Sequence, residues 1–238
     1  MNTIILKNSV VFLTGADGGI GSAFIKELIN REVKKIYITG LNLDKLEALA
    51  KTNPDILFPI KLDVTNTTNV TACVKNCSDT NILINNAGVE LKADFLDQGA
   101  SEKAKFEMAV NYLGVIDLCH QFRPILKSNY NPAIINILSI GSLVLIKKIN
   151  TYCASKVALH LYTQAIREEL KNEIQVIGVY PGYVDTSMVS DVDIKKIAPD
   201  ELVKNICNDL LKNHLDIFPD EMSKLYANSD KLSIEYLN

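Results

Sequence analysis

The stretch that decides the fold is VVFLTGADGGIG, residues 10–21, in which an apolar run passes directly into a glycine-rich turn. Residues 10–14 predict a buried strand because they are almost continuously apolar, and residues 19–31 have the spacing of a helix. Glycine in the turn lets backbone N–H groups approach a pyrophosphate, which then lies at the positive end of the helix. The stretch therefore predicts a strand, a phosphate-binding turn and a helix, and it favours a dinucleotide as the ligand.

The same alternation of strand and helix continues along the chain. Short apolar runs predict strands at 10–14, 35–39, 57–64, 81–85, 133–139 and 174–180, with a weaker one at 215–218. Helical spacing predicts helices at 19–31, 42–51, 66–77, 102–127, 150–172 and 199–213. Continuously apolar strands need cover on both faces. The pattern thus predicts an α/β fold, a single-domain Rossmann-type doubly wound parallel sheet of about seven strands with helices on both faces, over residues 1–238.

Composition excludes several classes of function. The 238 residues carry 25 basic and 28 acidic side chains, so no basic surface is available for a nucleic-acid backbone. No apolar run approaches the ~18 residues of a membrane span, and the N-terminus lacks the features of a signal peptide. We therefore expect a cytoplasmic protein without membrane or nucleic-acid partners. The five cysteines predict buried free thiols, and the scattered histidines predict no metal site.

Small and polar residues collect where the predicted strands end, which is where ligands bind in such a sheet. Asp63-Val64 follows the third strand, Asn85-Asn86-Ala87-Gly88 follows the fourth, Ser139 ends the fifth, and PGYVDT (181–186) follows the sixth. Tyr152 and Lys156 are four residues apart in a predicted helix, so their side chains are adjacent on one face. A neighbouring ammonium favours the ionised form of a phenol. Tyr152 is therefore the candidate general acid and base.

These motifs, in this order, resemble the short-form branch of the short-chain dehydrogenase/reductase family, with its patterns Thr-Gly-x-x-x-Gly-x-Gly and Tyr-x-x-x-Lys. The resemblance covers roughly residues 8 to 213. It implies an NAD(P)-dependent oxidoreductase that transfers a hydride between a nicotinamide cofactor and a small carbonyl compound or secondary alcohol. A 3-oxoacyl-type reductase using NADPH and a catalytically silent dinucleotide-binding sensor are the alternatives.

The resemblance also implies roles for individual residues. Tyr152 exchanges the proton, Ser139 holds the substrate oxygen, and Asn111 belongs to a proton relay that reaches Lys156 through a water. Asp63 bonds the adenine amino group, Asn85 stabilises the central sheet beside the adenosine ribose, and Thr186 bonds the nicotinamide carboxamide. The expected cofactor contacts are Gly15, Asp17, Gly19, Ile20, Gly21, Gly40, Leu41, Asp63, Val64, Asn85, Asn86, Ala87, Gly88, Tyr152, Lys156, Pro181, Gly182, Val184 and Thr186.

The choice between NAD and NADP stays open. An NAD site commonly has an acidic residue near the end of the second strand, and an NADP site has a basic one. Here that strand ends Thr39-Gly40-Leu41-Asn42, with neither charge, while the glycine turn contains Asp17. An acidic group repels a 2′-phosphate, which favours NAD. Lys45, however, is within reach of such a phosphate.

The substrate pocket is expected between residues 89–98, 140–149 and 183–198. Apolar residues in these segments predict a mostly apolar pocket without a fixed charged anchor, and hence a small uncharged substrate. The apolar residues in question are Leu143, Leu145, Ile146, Tyr183 and Met188. By resemblance, the helices at 102–127 and 150–172 form the interface of a homodimer or homotetramer. The stretch from Phe218 onward has a weak helical pattern and is expected to cover the sheet edge or a neighbouring subunit.

Overall fold

A computed structural model describes residues 4–227 and the backbone of Ser233–Leu237. Its main sheet contains seven strands, all paired in parallel. They are β1 (Val10–Leu13), β2 (Lys35–Gly40), β3 (Leu57–Lys61), β4 (Ile82–Asn85), β5 (Ala133–Ile137), β7 (Gln175–Val179) and β8 (Asp216–Ile217). Their order is β3-β2-β1-β4-β5-β7-β8. The chain reverses its direction across the sheet between β1 and β4, and this reversal opens a crevice at their carboxyl ends.

Helices cover both faces of this sheet, as the apolar strands predicted. They are α1 (Gly19–Asn30), α2 (Leu43–Ala50), α3 (Thr67–Lys75), α4 (Ala100–Met108), α5 (Gly114–Ser128), α6 (Asn150–Leu170), α7 (Pro199–Leu210) and α8 (Glu221–Lys224). Successive residues of β1 point to opposite faces: Val11 and Leu13 pack with α1, α2 and α7, whereas Val10 and Phe12 pack with α3, α5 and α6. The doubly wound α/β fold is thereby confirmed.

Two departures from the sequence prediction lie near the crevice. The helix predicted at 102–127 is two helices, α4 and α5, joined by a π-helical segment at Ala109–Leu113. The strand predicted at 133–139 ends at Ile137, and a 3-10 turn at Ile140–Ser142 leads into a further short strand, β6 (Val144–Ile146). Periodicity alone reveals neither change, because one inserted residue in a helix and a three-residue strand leave almost no repeat to read.

The stretch after Phe218 forms the short helix α8 and a strand, β9 (Ser233–Leu237), which pairs in parallel with β6. The phenyl ring of Phe218 stacks on Tyr180, with the ring centroids 4.9 Å apart. This end of the chain thus lies against the last strands of the sheet; residues 228–232 and 238 lie outside the described residues. All five cysteines are buried and free, as expected. In the described part of the chain, no helix is long and apolar enough to cross a membrane.

Candidate active site

The glycine turn between β1 and α1 is built so that side chains would not fit. Gly15 has a φ of +62°, and a Cβ on it would lie 2.9 Å from the Cα of Ala87. A Cβ on Gly21 would lie 2.1 Å from the carbonyl oxygen of Gly15. Among the described residues, no side chain caps the first N–H groups of α1. These groups therefore remain available to an anion at the positive end of the helix.

A cleft of about 1190 Å³ opens beside this turn, at the carboxyl ends of β1, β2 and β4. It is bounded on one side by the turn and on the other by the segment after β4. Of the expected cofactor contacts it brings together Gly15, Asp17, Gly19, Ile20, Gly21, Gly40, Leu41, Asp63, Val64, Asn86, Ala87, Gly88 and Thr186. A second cavity, of about 720 Å³, adjoins it and is lined by Tyr152, Lys156, Pro181, Gly182 and Val184. Both cavities share Ile20, Asn86, Gly88, Thr186 and Met188.

Asn85 does not reach either cavity, so the structure does not place it among the cofactor contacts. Its side chain is buried, and its Nδ2 donates to Oδ1 of Asn136 on β5 at 2.8 Å. Neighbouring residues of an extended strand point to opposite sides. The next residue, Asn86, therefore faces the cleft, where its Nδ2 donates to the carbonyl oxygens of Thr14 at 2.9 Å and Gly15 at 3.1 Å. Asn85 ties two central strands together, while Asn86 holds the glycine turn.

Asp63 lies at the rim of the cleft with one carboxylate oxygen already engaged. Its Oδ1 accepts hydrogen bonds from the backbone N–H of Thr65 at 2.9 Å and from the Thr65 hydroxyl at 2.7 Å. The following helix, α3, is capped by Asn66 instead, whose side chain accepts from the N–H of Asn69. Asp63 is therefore not needed as a helix cap, and its second carboxylate oxygen has no protein partner among the described residues.

Ser139, Tyr152 and Lys156 meet in the second cavity. Ser139 follows β5, and its hydroxyl lies beside Tyr152 at the cavity wall and accepts from the N–H of Gly141 at 3.0 Å. Tyr152 and Lys156 lie one turn apart on α6, with the Lys156 Nζ 5.7 Å from the centroid of the Tyr152 ring. The ammonium donates to the carbonyl oxygen of Ile137 at 2.8 Å. A serine hydroxyl, a phenol and a lysine are thus presented on one wall.

Burial shifts the pKa values of the two ionisable groups in opposite directions. Tyr152 is buried, and loss of solvation, together with the negative charge of Glu90, raises the pKa of its phenol well above 10, although the neighbouring Ser139 hydroxyl acts to lower it. Loss of solvation also lowers the pKa of Lys156 from 10.5 to about 8. In the protein alone the burial of Tyr152 therefore outweighs the effect expected from the neighbouring ammonium. The phenol is therefore protonated at neutral pH, and it needs added positive charge nearby to act as a base.

Asn111 lies beneath this cavity, in the middle of the π-helical segment. Its Oδ1 accepts from the N–H of Val89, and its Nδ2 donates to the Val89 carbonyl oxygen and to the Ser155 hydroxyl, each at 2.9 Å. Ser155 in turn donates to the carbonyl oxygen of Tyr152 at 2.7 Å. A Cβ on Gly88 would lie 3.2 Å from Oδ1 of Asn111 and 3.6 Å from Nζ of Lys156, so the two side chains flank this glycine. Asn111 thus links the segment after β4 to the start of α6.

The walls of the second cavity only partly match the prediction. Ile146, Tyr183 and Met188 line it, but Leu143 and Leu145 do not. Leu143 is buried in the core beside α5 and α6, and Leu145 packs on the small cluster around Ile140, because the turn and β6 alternate the directions of their side chains. The expectation was wrong for these two leucines.

Sequence reasoning also missed two charged residues at this site. Glu90 lines the cavity beside Ser139 and Tyr152, which contradicts a pocket without a charged anchor. Asp220, just before α8, accepts from the N–H of Gly182 at 2.8 Å and so fixes the turn after β7. Glu90 stands two residues after the Asn-Ala-Gly motif, the one signal that points to it, whereas nothing marks Asp220 in the sequence. Within the described residues, no group of three His, Cys, Asp or Glu side chains is placed to hold a metal ion.

Comparison with known proteins places this site in a family. The profile of the short chain dehydrogenases matches residues 9–196. The chain belongs to the short chain dehydrogenase family. An uncharacterized oxidoreductase of Staphylococcus aureus (strain USA300) is 30% identical to it over 211 residues, which are 85% of this chain and 90% of the relative. A similar protein of Staphylococcus saprophyticus is 31% identical over 211 residues, 84% of this chain and 89% of the relative.

Solved structures of short chain dehydrogenases have the same fold. One from Burkholderia cenocepacia J2315, in complex with NADP, superposes with a TM-score of 0.88 at 32% identity and covers 94% of this chain and 93% of its own. Another from Burkholderia phymatum, in complex with NAD, has a TM-score of 0.82 at 17% identity, with 98% and 99% coverage, which shows the shared fold alone. As a short chain dehydrogenase, the protein is an oxidoreductase.

Proposed function

We propose that this short chain dehydrogenase uses NAD(P) to interconvert a small carbonyl compound and its secondary alcohol, with Tyr152 as general acid and base. The observation that carries the proposal is the convergence of Ser139, Tyr152 and Lys156 in a cavity that opens into the glycine-turn cleft. The relatives solved with NADP and with NAD support a nicotinamide cofactor.

The residues present fit such a cofactor. The glycine turn at the start of α1 is close enough to its neighbouring backbone that a Cβ on Gly15 or Gly21 would displace it, and its N–H groups point to where a pyrophosphate would bind. From there the cleft continues past Gly88 and Thr186 into the cavity of Tyr152, the direction in which a dinucleotide would place its nicotinamide ring. When bound, the nicotinamide gives or accepts the hydride.

The protein's own part is to hold the substrate oxygen and to move a proton. Ser139 and Tyr152 present two hydroxyl groups to one point of the cavity, so a carbonyl oxygen there receives two hydrogen bonds. In reduction, Tyr152, which is protonated at neutral pH, gives its proton to the developing alkoxide. In oxidation, the Lys156 ammonium and the positive charge of an oxidised cofactor lower that pKa again.

For the cofactor itself we propose NAD rather than NADP. The Asp17 carboxylate occupies the space beside the end of β2, where a Cβ on Gly40 would lie only 2.4 Å from its Oδ1. A carboxylate at this place accepts hydrogen bonds from a ribose and repels a 2′-phosphate. The nearest candidate for binding a phosphate, Lys45, donates to the backbone carbonyl of Asp17.

Fluorescence titration with NADH and NADPH tests the cofactor proposal. NADH is expected to bind at least tenfold more tightly, about 1.4 kcal/mol, and Asp17→Asn should reduce this preference without abolishing NADH binding. An equal or stronger affinity for NADPH would overturn the choice of NAD while leaving the reaction in place.

Tyr152→Phe tests the reaction. We expect the variant to bind cofactor as the wild type does and to lose nearly all turnover with simple ketones and secondary alcohols, because it keeps the ring and removes only the hydroxyl group. Glu47→Gln, an exposed change on α2, serves as the matched control and should leave turnover unchanged. Turnover by Tyr152→Phe at the wild-type rate would place the proton donor elsewhere.

We also propose that the protein forms a homodimer or homotetramer through α5 and α6. Leu113, at the end of the π-helical segment before α5, and Leu161 on α6 are 54% and 69% exposed, and the adjacent Tyr112 and Tyr162 are in ring contact. Light scattering on the wild type and on Leu161→Glu checks this, and a monomeric wild type would refute it.

A further inference from the structure

Glu90 is held at the cavity wall by a backbone that is fixed on both sides. The residue before it, Val89, exchanges two hydrogen bonds with Asn111 at 2.9 Å each. The residue after it, Leu91, donates its N–H to Oε1 of Glu107 at 2.7 Å, and Glu107 is fully buried. Two buried polar side chains of one helix thus hold the backbone on each side of Glu90. Such support places a side chain as a binding site requires.

The surroundings of the Glu90 carboxylate contain no group that satisfies it. Within residues 4–227 it makes no hydrogen bond and no ion pair, although it is half-buried. Lys92, whose charge acts on Glu90, is paired with Asp191, and Lys156, the cation on the same cavity wall, donates to the carbonyl oxygen of Ile137. Most of the remaining wall is apolar, including Ile140, Ile146, Ile149 and Val189.

The other titratable groups that face Glu90 do not neutralise it either. Tyr152, Tyr183 and Cys153 feel its charge, and Glu107 and Asp191 add like charge. Partial burial raises the pKa of Glu90 to about 7; Lys92 acts to lower this pKa, and Glu107 and Asp191 act to raise it. A half-buried carboxyl group in this situation gains from any hydrogen-bond donor that a ligand brings.

We propose that Glu90 binds a second hydrogen-bond donor of the substrate, so that the enzyme acts on alcohols bearing a further hydroxyl or amino group close to the reacting carbon, and on the matching carbonyl compounds. This inference rests on the proposed function, because it assumes that the reacting oxygen lies at Ser139 and Tyr152. Glu90 then anchors the other end of the molecule, and the apolar wall packs against its carbon skeleton. Discrimination follows because an apolar analogue leaves the carboxyl group buried without a partner.

Matched substrates test this directly. The members of a set have nearly the same shape and differ only in one group, which is a hydroxyl, an amino or a methyl group. In the first set this group is on the carbon next to the reacting carbon: butane-2,3-diol, 3-aminobutan-2-ol and 3-methylbutan-2-ol. In the second set it is one carbon further away: pentane-2,4-diol, 4-aminopentan-2-ol and 4-methylpentan-2-ol. Oxidation is followed by the appearance of reduced cofactor. We expect wild-type kcat/KM for a diol or an amino alcohol to exceed that for the methyl analogue at least tenfold.

Two variants distinguish the hydroxyl from the amino donor. Glu90→Leu should reverse the preference, so that the methyl analogue becomes the better substrate. If the donor is an ammonium, Glu90→Gln should keep the preference for the diol over the methyl analogue and lose the preference for the amino alcohol. If Glu90→Gln keeps both preferences, the donor is a hydroxyl group. The ratio of kcat/KM between the members of a set is the readout, because loss of the Glu90 charge also lowers the pKa of Tyr152 and thereby affects all substrates alike. Glu47→Gln should behave as the wild type.

The outcomes separate this inference from the proposed function. The role of Glu90 is overturned, and the proposed reaction stands, in either of two cases. In the first, the wild type turns over all three members of each set with equal kcat/KM. In the second, the kcat/KM ratios between the members are the same in the wild type and in Glu90→Leu. Binding of NADH without turnover of any of the six alcohols overturns both.

Discussion

Replacing Glu90 by glutamine is expected to stabilise the folded protein, and to do so more strongly at pH 8 than at pH 5. The pKa of Glu90 in the folded protein is about 7, against an ordinary value of 4.5, mainly because burial disfavours the charged form. Each pKa unit corresponds to about 1.4 kcal/mol, so the ionised carboxylate lowers the free energy of unfolding by roughly 3 kcal/mol at most. Glutamine carries no charge at any pH, so this cost disappears in the variant.

The sign of the pH dependence follows from which form the fold prefers. The folded protein prefers the neutral acid, so the wild type has its full stability below the unfolded pKa and loses it as pH rises through about 7. The gain from Glu90→Gln should therefore grow by about 2 kcal/mol between pH 5 and pH 8, and residual solvent at the side chain reduces this figure.

Urea denaturation of the wild type, Glu90→Gln and Glu47→Gln at the two pH values measures the difference. Glu47 is exposed, so its variant should stay within about 0.5 kcal/mol of the wild type at both. A gain from Glu90→Gln that is the same at pH 5 and pH 8 would refute the reasoning, because it would show that the carboxyl group is as well solvated in the folded chain as in the unfolded one.

Two further predictions concern the backbone supports of the site. Gly21→Ala should weaken NADH binding at least tenfold. The new Cβ would lie 2.1 Å from the carbonyl oxygen of Gly15 and 2.7 Å from Cα of Ala16, so the turn must shift. Titration with NADH measures the affinity, and an unchanged affinity would mean that the turn does not bind the pyrophosphate. Asn111→Ala should lower the free energy of unfolding by roughly 1–3 kcal/mol, because it leaves the half-buried N–H of Val89 without its acceptor and also removes the bond to the buried Ser155. Urea denaturation measures the loss, and a change below 0.5 kcal/mol would show that water replaces the side chain.

Much of the fold and of the cleft could be predicted from the sequence because the signals were local. The apolar runs at 10–14 and 81–85 and the glycines between 15 and 21 each specify a strand or a turn through their own backbone preferences. In contrast, the placement of Asn85 depended on which of two adjacent asparagines faces the cleft. That choice is set by pairing with Asn136, which is 51 residues away along the chain.

The polar contacts at the substrate end could not be predicted for the same reason. The bond from the N–H of Gly182 to Asp220 joins residues 38 apart, and the bond from the N–H of Leu91 to Glu107 joins residues 16 apart. Sequence spacing does not reveal such pairs, because the two residues of each pair do not belong to the same helix or strand. Glu107 in α4 is fully buried, whereas glutamates usually lie at the surface, so its residue type predicted an exposed side chain.

The π-helical segment explains why proton transfer and substrate choice would depend on one another in this enzyme. Glu107 lies in the last turn of α4 and Asn111 at the centre of the π-helical segment that follows, so the two side chains are four residues apart on one continuous helix. The first fixes Leu91 and the second fixes Val89, which leaves Glu90 between them as the side chain free to meet a ligand. Asn111 also bonds Ser155 and, through it, the carbonyl oxygen of Tyr152. A shift of this helix would therefore move the proposed proton donor, Tyr152, and the proposed substrate anchor, Glu90, together. A substitution that displaces one of them should also displace the other.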